Sequence, residues 1–312
     1  MTESTALLFP GQGSQLVGMG ADFARAYPIA AQTFQQADDI LGVKLSEMMF
    51  KGPADALDDT INTQPALYVS SIAILRVLRA ELPDLAPAFV AGHSLGEFTA
   101  LTAAGALDFA TGTRLVRERG RLMKGAGEAN PGAMAALLGA DRETAATLCQ
   151  SAAEKTGVPL VIANDNCPGQ IVISGDMTAL EAALDRASNQ GIRRVVRLSV
   201  SIAAHSPLMA PAEDAFRALL TETPFTTPQI PVISNATAAP MPDVPAIRDA
   251  LERQLTSSVR WHESVQFMLN AGTTRFIEVG AGDVLTGMMK RIDRKAERVA
   301  VNAVEALQAL VG

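Results

Sequence analysis

Apolar positions recur along this chain with two different rhythms, and the style changes near residue 130 and again near residue 200. In the first part, short apolar runs of strand length alternate with longer segments at helical spacing. Residues 6–9 predict a strand that Pro10 and Gly11 end, giving way to the loop PGQGSQ. Helical spacing over 28–41 predicts a helix, and 65–78 predicts a buried one. Residues 88–91 predict a second strand, bounded by prolines upstream and Gly92 downstream. Glu97, Phe98, Ala100, Leu101 and Ala104 then predict a helix of mostly small residues that Gly105 terminates. Strands alternating with helices imply a parallel sheet covered on both faces.

The middle third predicts a strand at 133–139, a helix at 141–156 and strands at 158–164 and 170–175. A turn-rich stretch, Asp165-Asn166-Cys167-Pro168-Gly169, separates those two strands. A helix at 176–190 and a strand at 192–200 complete the order β-α-β-β-α-β, a ferredoxin-like split unit. The expected organisation is a large α/β domain, 1–130 and 200–312, into which a small ferredoxin-like domain, 131–199, is inserted. The last third predicts a strand at 231–235 and helices near 245–255 and 261–271. A strand at 275–279 then turns at Gly280-Ala281-Gly282 into a helix near 283–292.

Composition narrows the function classes. With 48% hydrophobic and 19% charged residues the chain suits a well-buried globular α/β protein. No basic segment followed by an apolar h-region, and no apolar stretch of membrane-spanning length, is present, so a soluble, unexported, cytoplasmic protein is expected. Cys149 and Cys167 form no CxxC and point to a reducing compartment. A net charge of −7 and only 4% aromatics argue against a nucleic-acid partner, which needs a broad basic surface. No Cys/His cluster has zinc spacing, so no metal is expected.

The candidate chemistry begins at Gly92-His93-Ser94-Leu95-Gly96, a G-x-S-x-G between a predicted strand and a predicted helix. A nucleophile elbow needs small residues two before and two after the serine, because its tight turn brings strand and helix backbones together. The bland alternative is a chance match in a glycine-rich turn. A serine needs a base, and the chain holds only His93, His205 and His262. His93 adjoins the serine, where an elbow turns neighbouring side chains apart, and His262 sits early in an amphipathic helix, so both read as structural. His205 follows a strand and precedes Ser206 and Pro207, a good helix start, and is the candidate base.

Arg119 carries the most information. Leu115, Arg119, Leu122 and Met123 fall at i, i+4, i+7 and i+8 of a predicted helix, which sets Arg119 on the apolar stripe. Arg114, Arg117, Arg121 and Lys124 form a separate face, read as solvated. An arginine facing a core cannot shed its charge and needs an anion. That anion is either an internal carboxylate, the commoner case, or the carboxylate of a substrate. The loop PGQGSQ fits neither a dinucleotide fingerprint nor a P-loop, and leaves an exposed backbone able to offer the N–H of Gln12.

As a set, these residues resemble the malonyl-CoA:acyl carrier protein transacylase family of bacterial type II fatty acid synthesis. FPGQGSQ (9–15), TQPAL (63–67), AGHSLGEF (91–98), RLVRERG (114–120) and GAMAALLG (132–139) follow its pattern in order and spacing. NCPGQIVISG (166–175), HSPLM (205–209), RQL (253–255) and EVGAGDVLTGMMKRI (278–292) continue it over nearly the whole chain. The resemblance implies an α/β-hydrolase-like large domain with the ferredoxin-like small one. It implies malonyl transfer from malonyl-CoA to acyl carrier protein through a seryl ester, without a cofactor, by a monomer. It implies Ser94 as nucleophile, His205 as base, the main-chain carbonyl of Gln254 orienting His205, the N–H groups of Gln12 and Leu95 as oxyanion hole, and Arg119 as grip for the malonyl carboxylate. Ala203-Ala204 depart from the pattern, where many relatives carry a bulkier residue beside the histidine, and imply a roomier acyl pocket.

An acidic chain that meets an acidic carrier protein needs a local basic patch. Arg193, Arg194 and Arg197 are one candidate; Lys290, Arg291, Arg294 and Lys295 are another; a merely solvated face is the alternative for both. Three rival functions remain at this level: a serine esterase or thioesterase, a transacylase for another extender unit, and a non-enzymatic carrier-binding protein.

Overall fold

The computed structural model describes residues 4–187, 191–192, 194–198, 200 and 202–312. The chain first forms β1 (Thr5–Phe9), α1 (Ala21–Ala26), α2 (Pro28–Leu41), α3 (Leu45–Lys51), α4 (Ala54–Asp58) and α5 (Thr60–Glu81). β2 (Phe89–Gly92), α6 (Gly96–Ala103) and α7 (Phe109–Ala129) follow. The middle comprises β3 (Gly132–Leu138), α8 (Arg142–Thr156), β4 (Leu160–Cys167), β5 (Gln170–Asp176), α9 (Met177–Ala187) and β6 (Arg194–Arg197). The chain returns through α10 (Ala210–Glu222), β7 (Val232–Ile233), α11 (Val244–Gln254), α12 (Trp261–Asn270), β8 (Arg275–Val279), α13 (Val284–Ile292), β9 (Glu297–Val301) and α14 (Val304–Val311).

Two sheets result. β7-β2-β1-β8-β9 is parallel throughout, and β1 sits at its centre. Period-two alternation sends Leu7 and Phe9 into one apolar core and Ala6 and Leu8 into another, so the sheet is buried on both faces. β4-β5-β3-β6 is antiparallel and carries α8 and α9 over its own smaller core of Ala135, Leu137, Leu148 and Ile173. That is the βαββαβ unit inserted in the α/β domain, as expected.

Several boundaries differ from the sequence expectation. α5 begins at Thr60, where the Asp59 side chain caps it by accepting the Ile61 N–H, and Pro65 lies inside the helix. Pro65 has no N–H for the carbonyl four residues earlier. Arg117 Nη1 satisfies that carbonyl, Ile61 O, at 3.2 Å. Residues 165–167 are the end of β4 and not a turn; register irregularities in its pairing with β5 accommodate the polar residues. β7 is only two residues, against five expected. α1, α3, α4, β9 and α14 were not expected; most are one or two turns long, too short for a periodic signal.

The parallel sheet collects the loops that follow β1, β2 and β7 at its carboxyl edge, where α/β folds bind ligands. Two glycines make this packing possible. A Cβ on Gly92 would lie 1.9 Å from the Gly96 carbonyl, and one on Gly96 would lie 2.2 Å from Phe9 O. Gly92→Ala is therefore expected to lower stability by about 2 kcal/mol or more through backbone overlap. Gly125→Ala, in α7 with open space around it, is expected to raise stability by up to about 1 kcal/mol. Thermal unfolding of the two variants measures both; an unchanged midpoint for Gly92→Ala would contradict the elbow packing.

Candidate active site

Ser94 lies between β2 and α6 with φ of 49°, a left-handed conformation costly for any residue with a Cβ. Asn235, two residues past the end of β7, holds that strained turn: its Oδ1 accepts the Ser94 N–H at 2.6 Å and its Nδ2 donates to Gly92 O at 2.7 Å. His205, also at positive φ (58°), directs its Nε2 to Ser94 Oγ at 2.8 Å. Its Nδ1 lies 2.8 Å from the main-chain oxygen of Gln254. A carbonyl only accepts, so Nδ1 carries the proton and Nε2 presents its lone pair to the Ser94 hydroxyl. Those two contacts set a hydroxyl against an imidazole that a backbone carbonyl orients, the geometry a serine nucleophile and its base require. Ser206 caps the short 3₁₀ turn Pro207–Met209 that fixes the histidine's position in the chain.

Burial pushes the His205 imidazolium down to a pKa of about 3, and the Arg119 charge adds to it; the Gln254 carbonyl opposes. The imidazole is therefore neutral, as a base must be.

Arg119 is 1% exposed on α7. Its Nη1 donates to Gln64 Oε1 at 2.8 Å, and Nη2 donates to Gln254 Oε1 at 2.8 Å and to Ser94 Oγ at 3.2 Å. The guanidinium carbon stands 5.5 Å from the Phe98 ring centroid, and among the described residues Nε has no hydrogen-bond partner. Among the described residues no carboxylate forms an ion pair with it, so the commoner reading of an internal salt bridge does not hold. Burial lowers the guanidinium pKa to about 10, opposed by Glu97. The expected solvated face of α7 is only partly solvated: Arg117 bonds Ile61 O and Asn62 Oδ1, and Lys124 bonds Asp59 at 2.7 Å.

A cleft brings Gln12, Ser94, Leu95, Arg119 and His205 to one surface. Met123, Met134, Leu198, Val200, Ile202 and Ala204 give it an apolar wall. Among the described residues no acceptor pairs with the backbone N–H of Gln12 or of Leu95. The Gln12 side chain turns to Thr60 Oγ1 at 3.1 Å. His93 lines the same cleft and bonds Asn166 Oδ1 at 2.9 Å, linking the elbow to β4 of the small domain; His262 does not line it.

Four residues of this arrangement had no assigned role in the sequence reading: Gln64, Glu97, Asn235 and Asn166. Gln64 and Glu97 stand inside the quoted motifs TQPAL and AGHSLGEF. A lone carboxylate in a helix reading GEFTALTA was the available signal for Glu97. The expected basic patches are not brought together. Arg194 is exposed on β6, one edge of the antiparallel sheet, whereas exposed Lys290 belongs to α13, which packs on β4 at the opposite edge. Arg193 lies outside the described residues. Among the described residues no three His, Cys, Asp or Glu side chains group as a metal site, and no helix is long and apolar enough to cross a membrane.

A serine–histidine pair on a strand-to-helix elbow of a parallel sheet, beside a buried arginine, is a site for acyl transfer. The chain belongs to the acyl transferase domain family, whose model matches residues 6–307. It is 43% identical over 305 residues to the malonyl CoA-acyl carrier protein transacylase of Haemophilus influenzae, covering 98% of this chain and 97% of that one. The crystal structure of an acyl carrier protein S-malonyltransferase from Vibrio cholerae superposes with a TM-score of 0.95 at 45% identity, over 99% of this chain and 100% of that chain. A malonyl-transacylase in complex with its type II PKS acyl-carrier protein superposes equally well, with a TM-score of 0.95 at 42% identity and 99% coverage of both chains. The chain is thus an acyltransferase.

The histidine's environment sets the pH response. Protonated His205 cannot take the Ser94 proton, and its depressed pKa moves that loss well below the ordinary 6.5. The rate constant for Ser94 acylation at limiting substrate is expected to stay level down to about pH 5. Stopped acylation at graded pH measures this; an acid limb centred near 6.5 would contradict the buried, neutral histidine.

Proposed function

We propose that this chain transfers the malonyl group of malonyl-CoA to the phosphopantetheine thiol of an acyl carrier protein by a ping-pong route. The observation that carries the reading is Arg119: a fully buried cation whose acceptors among the described residues are all neutral, aimed at Ser94 Oγ from 3.2 Å. A carboxylate on the acyl group, close to the scissile carbonyl, supplies the anion this site is missing. The names of the relatives agree with that substrate.

In the first half-reaction, Ser94 Oγ gives its proton to His205 Nε2 and attacks the thioester carbon. The N–H groups of Gln12 and Leu95 are the proposed donors to the resulting oxyanion. The C–S bond breaks, and the thiol of CoA leaves with the proton from His205. In the second, the carrier thiol gives its proton to His205 and attacks the seryl ester. The bond between the acyl carbon and Ser94 Oγ breaks, and Oγ regains a proton from His205. Gln254 holds His205 through its carbonyl in both halves. Every role is filled by a side chain or backbone group of this chain, so the proposal needs no cofactor. It extends to a cytoplasmic monomer, with 1–130 and 200–312 as the catalytic domain and 131–199 as the small domain.

Intact-mass measurement after mixing with malonyl-CoA is expected to show one malonyl adduct, absent in Ser94→Ala and discharged by carrier protein. Discharge at the same rate in buffer alone would mean hydrolysis instead. Arg119→Ala is expected to slow malonyl acylation by roughly 2–5 kcal/mol in the barrier, from about 30-fold to a few thousand-fold. Intact malonyl transfer by that variant sinks the reading.

For the carrier, Arg194 and Lys290 are the proposed docking residues. The Lys290 side is the stronger, because Arg291, Arg294 and Arg298 line a groove with it beside Pro168. Charge reversal at Lys290 or Arg194 is expected to raise the carrier KM several-fold and to leave Ser94 acylation by malonyl-CoA unchanged. Equal loss of both steps, or of neither, removes the residue from the docking surface.

A further inference from the structure

Beneath the nucleophile lies a carboxylate that the reaction above does not use. Glu97 stands in the first turn of α6 and is 1% exposed. A buried carboxylate persists only when its oxygens are occupied, and both of these are. Oε1 accepts the backbone N–H of Asn235 at 2.9 Å, and Oε2 accepts from Gln254 Nε2. The same Nε2 also donates to Ser94 O at 2.9 Å. With both its hydrogens committed on one side, the Gln254 amide has a single orientation left. Its Oε1 faces Arg119 and accepts from Nη2 at 2.8 Å. Turned over, the amide would set its NH₂ against the guanidinium, donor against donor, and its oxygen against the carboxylate.

We propose that Glu97, acting through the side-chain amide of Gln254, sets the direction of the Arg119 guanidinium and is the positioning residue for acyl-group selection. This rests on the reading of Arg119 as the grip for the acyl carboxylate. The base is affected less, because the Gln254 oxygen that holds His205 belongs to the main chain at the end of α11 and does not turn with the side chain. The elbow is affected less as well, since a glutamine at 97 keeps an oxygen for the Asn235 N–H. What Glu97→Gln changes is the other atom. An NH₂ replaces Oε2 opposite Gln254 Nε2, and turning the Gln254 amide relieves that conflict at the expense of Arg119.

The experiment measures single-turnover acylation of Ser94 by malonyl-CoA and by acetyl-CoA in four proteins: wild type, Glu97→Gln, Arg119→Ala and the double variant. Glu97→Gln is expected to lower the malonyl-to-acetyl rate ratio about tenfold or more, the worth of one hydrogen bond to a charged group. In the Arg119→Ala background the same substitution is expected to leave the ratio unchanged, because there is no guanidinium left to direct. A ratio unaltered by Glu97→Gln overturns the proposal, as does an equal fall with and without Arg119, which is what a merely structural carboxylate produces. If thermal unfolding shows that Glu97→Gln does not fold, Glu97→Asp carries the same cycle, with a smaller fall that again requires Arg119. Absence of a malonyl adduct on wild type sinks the malonyl reading itself. A normal adduct with an unaltered Glu97→Gln ratio sinks only the role of Glu97.

Discussion

The arrangement of this site depends on one buried guanidinium. Arg119 is taken out of water on α7 and given two amide oxygens, the face of Phe98 and the hydroxyl of Ser94, but among the described residues no carboxylate in ion-pair contact. A charge so placed is costly unless something anionic completes it. Glu97 opposes the cost from behind Gln254 without touching the cation. The guanidinium thus stays available on the side that faces the nucleophile. An internal ion pair would have been more stable in the empty protein and would have closed the site to an acyl carboxylate.

The rest of the machinery is organised around that position by backbone means. The parallel sheet delivers the loops after β1, β2 and β7 to one edge, and Gly92 and Gly96 let the elbow close to a distance no Cβ tolerates. Ser94 and His205 both occupy left-handed conformations, and Asn235 and Gln254 hold them there. Burial keeps Glu97 as well as His205 away from its ordinary titration: the Glu97 pKa rises to about 7 through desolvation, partly offset by Asn235, Gln254 and Arg119. The raised pKa makes Glu97 a stronger base than an ordinary carboxylate, while its hydrogen bonds to Asn235 and Gln254 and the nearby Arg119 charge favour its ionised form.

Much of this was legible in the residues. The β-α alternation, the βαββαβ middle and the elbow follow from hydrophobic rhythm and glycine placement, and Arg119 announced itself by sitting on an apolar stripe. Short elements such as α3 and α4 escaped because one or two turns carry no measurable period, and the strand expected at 231–235 was found but is only two residues long. The partners of Arg119 escaped for a different reason. Gln64 and Gln254 lie 55 residues before it and 135 after it in the chain, and an amide reveals nothing in sequence about which way it faces. Asp165 to Cys167 read as a turn because polar residues suggest one, whereas in β4 the Asn166 side chain bonds His93 and the Asp165 backbone N–H donates to Val259 O.

The central claim is that the buried cation is completed by the acyl group. A crystal structure of the acyl-enzyme trapped with malonyl-CoA tests it most directly. Density is expected to run continuously from Ser94 Oγ to a carboxylate paired with both Nη atoms of Arg119, at the roughly 2.7–2.9 Å of a bidentate pair. An acyl group whose carboxylate turns to solvent, with Arg119 still held by Gln64 and Gln254 alone, would contradict it.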